Sequence, residues 1–310
     1  MTTPDAESSQ ILSRAPRSPT QDAIRSLFRT KSAILGMAVL GVLVLVAVFA
    51  PLIAPYDPNQ VLIGKEQIKM RSGPCIHLLG CPADKPQHIL GVDGNVRDFF
   101  SRLVYGSRVS LFIGFSTVGF AIIIGSLIGA LAGYLGRASD LWLMRAMDVL
   151  LAFPALLLAI AIVTVLGEGL TNALLAIGIV SIPIYARVSR ASVLAVKEQD
   201  FVLAARAVGV PSGRILFRNI LPHTLTPLIV AGTLGIATAI LDAAALSFLG
   251  LGAQPPMAEW GSMLGAERNQ VFTAPHLVFF PGLMIMVTVL AFNLLGDGLR
   301  DALDPRLRKL

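Results

Sequence analysis

Long apolar runs without charge alternate with short polar segments along the whole chain. A bilayer core about 30 Å thick requires roughly 20 apolar residues as a helix. Four of the six runs reach that length. The third run in chain order reaches it once residues 141–147 are added. The fourth run gains length from Tyr185 and Arg187, whose side chains can reach the interface. The pattern predicts six transmembrane helices in an all-α integral membrane protein. The uncharged runs are residues 32–56, 109–136, 149–167, 169–186, 219–241 and 269–296.

Composition agrees with that pattern. Only 14% of the 310 residues are charged and 55% are hydrophobic, whereas about 25% of the residues of a soluble domain are charged. The net charge of +6 comes from basic residues that lie between apolar runs and not in a patch with interleaved aromatic residues, so we expect no nucleic-acid partner. The polar first 31 residues, rich in proline and serine, are typical of a disordered tail. The first apolar run lacks the small-residue cleavage site of a signal peptide and is expected to remain as an anchor.

Basic residues predict the orientation. Most of them lie in segments that are cytoplasmic if the N-terminus is inside, and the basic first outer loop is long enough to be translocated regardless of charge. We therefore expect a multi-pass protein of the cell membrane with both termini inside. The predicted segments are a cytoplasmic tail 1–31, a helix 32–54, an extracytoplasmic loop 55–108, a five-helix core 109–300 with a cytoplasmic loop 187–221, and a cytoplasmic tail 301–310.

The predicted extracytoplasmic loop contains both cysteines of the chain, Cys75 and Cys81. Two cysteines six positions apart in an exported loop are typical of an oxidising compartment, so we predict a disulfide bond between them. The alternative is a metal site with His77 and His88, although the spacing fits no zinc template.

Residues 96–105 predict an amphipathic helix at the end of this loop. Phe99, Leu103 and their apolar neighbours fall on one helical face, opposite Arg97 and Arg102. This spacing suits a helix in the membrane interface ahead of the second span. An ordinary surface helix packed on the loop is the alternative.

Small residues recur inside the second predicted span. Gly125, Gly129 and Gly133 are four residues apart, a spacing that allows close helix approach. They can serve packing within the chain or a contact between two chains, and the glycines alone do not decide between these.

Ionisable residues are rare in the apolar runs. Asp242 lies within a predicted membrane segment, and such residues usually face a bundle interior or a wet cavity. It either lies near a translocation path or is satisfied locally by a neighbour such as Ser247. Arg145 and Asp148, three apart at the start of the third span, are expected to pair on one helical face. Neither these groups nor the other polar residues form a catalytic arrangement, and no phosphate-binding G-x-x-x-x-G-K-[ST] loop occurs.

Residues 200–222 lie within a longer, moderately polar island that separates two apolar runs. We predict a short helix 201–208 capped by Asp200, a left-handed Gly209, and a second helix with Ser212 as its N-cap. Pro222 is tolerated in the first turn of the membrane helix that follows. Ala204 and Ala205 would give a smooth patch for another protein. A plain linker between spans is the alternative.

This island resembles the coupling ("EAA") loop of ABC importer permeases, in particular that of dipeptide and oligopeptide permeases. The alanine pair, Gly209 and the Leu-Pro pair are retained, whereas Leu203 occupies the position of the motif's glutamate. The resemblance continues through residues 91–111, 243–263 and 291–305, and Val92 and Val96 depart from the G-T-D-x-x-G-R-D-x-x-S-R signature of the first of these. The residues assigned to an ATPase contact are Asp200, Leu203, Ala204, Ala205, Arg206, Gly209, Arg214, Arg218, Leu221 and Pro222.

The resemblance implies a DppC/OppC-type permease subunit with the type I importer fold. Its expected partners are a second permease of the DppB/OppB type, two ATPases of the DppD/DppF type, an extracytoplasmic binding protein and membrane lipid. It implies no enzyme activity and no cofactor in this chain, with ATP and magnesium bound by the ATPases. Peptides are the expected substrates. Nickel or glutathione import is the alternative within the class, and a proton-coupled carrier or a membrane-embedded enzyme is the alternative outside it.

Overall fold

The computed structural model describes residues 27–28 and 30–303, so the predicted tails 1–31 and 301–310 lie mostly outside the described residues. Helices dominate the described part, and the outer loop adds isolated β-bridges and the short 3-10 helix His77–Leu79. In chain order the helices are α1 Lys31–Val48, α2 Ala50–Ile53, α3 Phe99–Leu135, α4 Arg137–Leu151, α5 Ala155–Leu166, α6 Leu170–Val196, α7 Asp200–Ala207, α8 Ser212–Arg214, α9 Leu221–Phe248, α10 Trp260–Glu267 and α11 Pro275–Leu303.

Five described helices are long and apolar enough to cross a membrane: α1, α3, α6, α11 and the continuous helix Ser212–Phe248 that contains α8 and α9. The third predicted span is broken. Its halves α4 and α5 meet at 91°, because Pro154 has no N–H to donate and disfavours helix at the residue before it. The described part of the chain therefore has six spans only if this bent pair counts as one.

The centre of the bundle is the pair α3 and α6, which pack along each other more extensively than any other described helices. The three evenly spaced glycines of α3 face α6. A Cβ atom on Gly125 would lie 2.7 Å from the carbonyl oxygen of Ile182, and one on Gly133 would lie 3.1 Å from that of Arg190. Packing within the chain therefore accounts for these glycines.

The first helix, α1, packs in antiparallel fashion on α11. A Cβ atom on Gly36 would lie 2.8 Å from the carbonyl oxygen of Ala291, and Gly298 makes a similarly close approach to Ala33. Backbone contact at these points attaches the N-terminal span to the last helix of the core.

The predicted interfacial helix 96–105 is wrong. Asp98 caps α3 by accepting the backbone N–H of Ser101 at 2.7 Å, and the helix then runs without a break from Phe99 to Leu135. Arg102 is buried and does not lie on a polar face. The carbonyl oxygens of Pro58 and Pro256 accept from its guanidinium at 2.8 and 3.2 Å, which allows an arginine at an inward position.

Candidate functional site

The segment from α7 to the start of α9, residues 200–222, forms an elbow at the end of α6. Gly209 has a φ of +79°, the left-handed conformation expected of a glycine that ends a helix. Behind it, the N–H of Val210 donates to the carbonyl of Ala205 at 3.0 Å. The order of helix, left-handed turn and second helix is as the sequence predicted, and the helix boundaries differ as follows.

Both predicted N-caps of the elbow are wrong by one residue. The carbonyl oxygen of Gln199 accepts the N–H groups of Val202 and Leu203 at 2.9 and 3.2 Å, so Gln199 is the N-cap and Asp200 is the first helical residue. In the same way the carbonyl of Pro211 accepts from Ile215 at 3.0 Å, so Ser212 lies inside the helix. Neither cap uses a side-chain hydrogen bond.

The second helix of the elbow continues into the membrane without a break. We predicted that Pro222 would begin a new helix, but α8, a π-helical turn Ile215–Ile220 and α9 form one 37-residue helix. Pro222 has no N–H for the preceding turn, and the wider π turn lies immediately before it. The elbow is therefore continuous with a membrane-spanning helix.

One face of the elbow is fastened to the ends of α3 and α6. Val202 and Ile215 are buried in a cluster with Ala130 and Val193. Above this cluster the Arg206 guanidinium lies over the Tyr134 ring, 5.7 Å from its centroid. These contacts hold the elbow to the bundle, and none of them is an ion pair among the residues that the structure describes.

The opposite face of the elbow is open. Ala204 is exposed, whereas Ala205 and Leu221 are half-buried against the apolar cluster, so the predicted smooth patch contains only one of the two alanines. Leu203 and Pro222 are exposed. Arg206, Arg214 and Arg218 are exposed and have no ion pair within the described residues. The large exposed apolar side chains are Phe201, Leu203, Val208 and Phe217.

Asp242 lies on α9, half-buried, beside the exposed residues Thr238 and Leu241. No described residue gives its carboxylate a hydrogen bond or an ion pair. Ser247, its suggested local partner, accepts instead from the N–H of Ala253 at 3.1 Å. The carboxylate is therefore on a partly open face of a membrane helix, without a local partner in the described chain.

On the outer side, Cys75 and Cys81 are joined by a disulfide bond. The histidines near them serve other contacts: His77 Nε2 lies 2.8 Å from the carbonyl of Lys85, and no cluster of metal-ligating side chains occurs among the residues that the structure describes. Both cysteine sulfurs are therefore used by the disulfide bond and not by the suggested metal site.

His88 is fully buried between two carboxylates. Its Nδ1 lies 2.7 Å from Asp98 and its Nε2 lies 3.0 Å from Glu66, with the Tyr56 ring stacked on it at 5.0 Å. Burial alone would lower the pKa of His88, but hydrogen bonds and charges from Asp98 and Glu66 outweigh it and raise the pKa above the ordinary value. Through these two contacts the imidazole ties the loop to Asp98, the capping residue of α3.

The outer side also contains a buried carboxylate that sequence reasoning missed. Glu259 accepts the N–H groups of Gly261 and Ser262 at 2.9 and 2.8 Å and lies 3.3 Å from the hydroxyl of Ser110. Burial raises the pKa of Glu259, and these donors oppose the shift. A glutamate directly before a short apolar helix was the only sequence signal for this cap.

The predicted pairing of Arg145 with Asp148 is wrong. Asp148 accepts from Arg187 at 2.6 Å, and Asp140 on the same helix forms a two-pronged ion pair with Arg190. Both bonds join α4 to α6, because the break after α4 turns its carboxylates toward that helix.

Two family profiles match the chain. Residues 125–309 match the family described as binding-protein-dependent transport system inner membrane component, and residues 18–72 match the N-terminal TM domain of oligopeptide transport permease C.

Three relatives are similar over nearly their whole length. The dipeptide transport system permease protein DppC of Alkalihalophilus pseudofirmus is 47% identical over 94% of this chain and 91% of its own. The di/tripeptide permease DppC of Pseudomonas aeruginosa is 46% identical over 94% and 93%. The glutathione permease GsiD of Pectobacterium atrosepticum is 42% identical over 96% and 95%.

A solved structure of the inward-facing MetNI methionine ABC transporter aligns with a TM-score of 0.54 at 19% identity, covering 65% of this chain and 96% of that one. At this identity the likeness concerns the fold, which is that of a type I importer permease. Relatives named as permeases, together with several apolar helices, make this chain a multi-pass inner-membrane transport subunit and not an enzyme. The chain belongs to the family of inner-membrane components of binding-protein-dependent transport systems, as an ABC importer permease of the DppC/OppC type.

Proposed function

We propose that this chain is one of two permease subunits of an ATP-driven importer of dipeptides and oligopeptides. Relatives named for dipeptides and for di- and tripeptides, at 46–47% identity, support the substrate class. Relatives named for glutathione, at 42–45% identity, favour glutathione as a second candidate. Peptides and glutathione share an α-amino group, a carboxylate and amide bonds, so one pathway could pass both.

The family implies a partner permease, an ATPase and a binding protein in general terms. The specific proposal is a second permease of the DppB/OppB type, two ATPases of the DppD/DppF type and a binding protein on the outer side, with lipid around the assembly. ATP and magnesium are bound by the ATPases in this scheme, and this chain has no cofactor of its own. Nucleic acid has no role.

The elbow is the proposed contact with the ATPase, and its open face carries the proposal. Exposed Leu203, Ala204 and Val208 lie beside arginines without ion pairs in the described chain. Large apolar side chains exposed at a polar end of a membrane protein indicate a protein partner. An apolar groove with an acidic rim fits this face, and apolar Leu203 takes the place of a charged contact from the motif's glutamate.

Ala204→Trp tests the contact. The exposed alanine would allow the ATPase to approach the elbow closely, so a large ring at this position should overpack the contact between them at a cost of about 1–3 kcal/mol. The expected result is a loss of ATPase co-purification and of substrate-stimulated ATP hydrolysis in proteoliposomes, by about tenfold. Ala205 is less suitable, because it packs partly against the permease itself.

Ala138→Trp is the matched control. Ala138 is also exposed, at the start of α4 and outside the elbow, so this variant should assemble and respond normally. Unchanged assembly and stimulation in Ala204→Trp would reject the elbow as the ATPase contact.

Asp242 is proposed to face the translocation path. A carboxylate without a local partner on a partly open helix face is suited to a passing ammonium group. Asp242→Asn should leave assembly intact and reduce uptake of a peptide with a free amino terminus more than uptake of its acetylated analogue. Equal uptake of both peptides by the assembled variant, at wild-type rates, would remove this charge from the mechanism.

A further inference from the structure

The broken span places an unusual helix at the cytoplasmic end of the bundle. Helix α5 packs along the membrane helix α6, and α4 turns away from α5 by 91°, so α4 runs across the bundle and not along it. Leu141, Trp142 and Val149 project from it, and Trp142 is 72% exposed. An apolar stripe on a helix parallel to the membrane plane is typical of the interface.

The depth of the neighbouring arginines agrees with that position. Helix α6 has 27 residues, or about 40 Å at 1.5 Å per residue, which exceeds a hydrocarbon core of about 30 Å. Arg187 and Arg190 lie about 14 Å and about 9 Å before its end at Val196. Both guanidinium groups therefore lie near the level of the cytoplasmic headgroups.

A cavity of about 480 Å³ opens between α4 and α6. Arg145, Arg187 and Arg190 line it together with Asp140 and Asp148. The two carboxylates are used by Arg187 and Arg190, and Arg145 has no partner among the described residues. The lining therefore has an excess of one positive charge and a complete set of free donors on one guanidinium.

We propose that this cavity binds the phosphate headgroup of an acidic phospholipid from the cytoplasmic leaflet. Arg145 would meet the phosphate directly, and Arg187 and Arg190 keep N–H donors beyond those given to the aspartates. Leu141 and Met144 on the cavity wall and the adjacent Trp142 offer apolar surface to the acyl chains. Basic pockets between membrane helices on the cytoplasmic side favour acidic headgroups.

An acidic protein surface is the competing occupant. It would complement Arg145, but it would leave the apolar stripe of Leu141, Trp142 and Val149 to be covered separately. A phospholipid satisfies both features at once, because its phosphate and its chains are adjacent in the same molecule. The combination of charge and apolar exposure therefore favours lipid.

The first test measures lipid retention by the full chain in mild detergent, using native mass spectrometry. Phosphatidylglycerol should remain bound in preference to phosphatidylcholine. Arg145→Gln should weaken that retention about fivefold, the effect of one basic residue near an acidic membrane surface. Arg137→Gln is the matched control, because Arg137 is exposed on the same helix and does not line the cavity.

Three outcomes of this test would overturn the proposal: equal retention of the two lipids, equal losses in the Arg145 and Arg137 variants, or competition by inorganic phosphate alone as strong as that by the lipid. The last outcome would indicate a free anion and not a lipid as the ligand.

The second test locates α4 in the assembled importer. Trp142 fluorescence, obtained as the difference between wild type and Trp142→Phe, should be quenched by lipids brominated on the acyl chains near the headgroup. Absence of quenching in the complex, with quenching of the isolated chain, would show that a protein partner covers α4 and would overturn the lipid assignment.

Discussion

The outer cap of this protein and its cytoplasmic elbow differ in whether their polar groups find partners within the chain. On the outer side, the loop before α3 and helix α10 form a cap in which Arg102, Glu259 and Glu267 are buried. Each finds its partners inside the chain, as when Glu267 accepts from Arg71 and from the N–H of Gly94, both at 2.8 Å. At the cytoplasmic end, the elbow exposes Arg214, Arg218 and a row of apolar side chains without such partners in the described chain.

The contrast shows where a partner is required. Burying a charge is costly unless it is paired and hydrogen-bonded, and the cap meets that condition internally. The elbow shields apolar residues only on the side that faces α3 and α6. We therefore interpret the cap as scaffold that fixes the outer ends of the spans and the elbow as a surface completed by another subunit.

The largest effect on stability is expected at the buried carboxylate of the cap. Glu259→Ala leaves the N–H groups of Gly261 and Ser262 without acceptors, and each unsatisfied buried group costs about 1–3 kcal/mol. The midpoint of unfolding in detergent should fall strongly. Glu168→Ala, at an exposed position on the same side, should change it little; similar midpoints for both variants would contradict the description of the cap.

Gly209→Val should act on coupling and not on the stability of the bundle. Valine resists the φ of +79°, so the angle between α7 and the second helix should change and substrate-stimulated ATP hydrolysis should fall by about tenfold, at a strain of about 1–2 kcal/mol. Gly213→Val is the control, since Gly213 lies in ordinary helix with open space around it. Equal stimulation in the two variants would contradict a role for the turn geometry.

Removing the disulfide of the outer loop should have a smaller effect. The ring closed by Cys75 and Cys81 spans only six positions, so its stabilisation should lie at the low end of the usual range, about 2 kcal/mol. Cys75→Ser with Cys81→Ser should lower the unfolding midpoint modestly and leave uptake intact. Labelling of wild-type cells by an impermeant maleimide without prior reduction would argue against the bond.

The smallest expected effect is a pH dependence from His88. The folded-state pKa of His88 is raised above the unfolded value of about 6.5. The contribution of His88 to folding stability is therefore fully present below the unfolded pKa and is lost as pH rises through the folded-state pKa. Wild type should therefore lose stability over that interval, and His88→Gln should lose less. Asp98, Glu66 and Tyr56 contact the imidazole; identical pH profiles would exclude a charged His88.

Much of this architecture was predictable from local pattern. Five of the six predicted spans, the left-handed Gly209 and the positions of both elbow helices follow from apolar run length and glycine chemistry, which act within a few turns of chain. The break near Pro154 had a local signal as well, but the prediction from run length did not use it.

Tertiary structure alone decided which side chains are buried and which partners they have. The sequence predicted Arg102 on a polar face. In the structure it is buried and donates hydrogen bonds to carbonyl oxygens of two distant loops. Asp148 has Arg145 one helical turn away, yet it pairs with Arg187 from another helix. Ala204 and Ala205 are adjacent and identical, and only the packing shows that Ala205 is the one that faces the bundle. Periodicity and composition determine helices because backbone hydrogen bonding is local. Burial and pairing depend on groups far apart in sequence, and only the packed bundle brings those groups together.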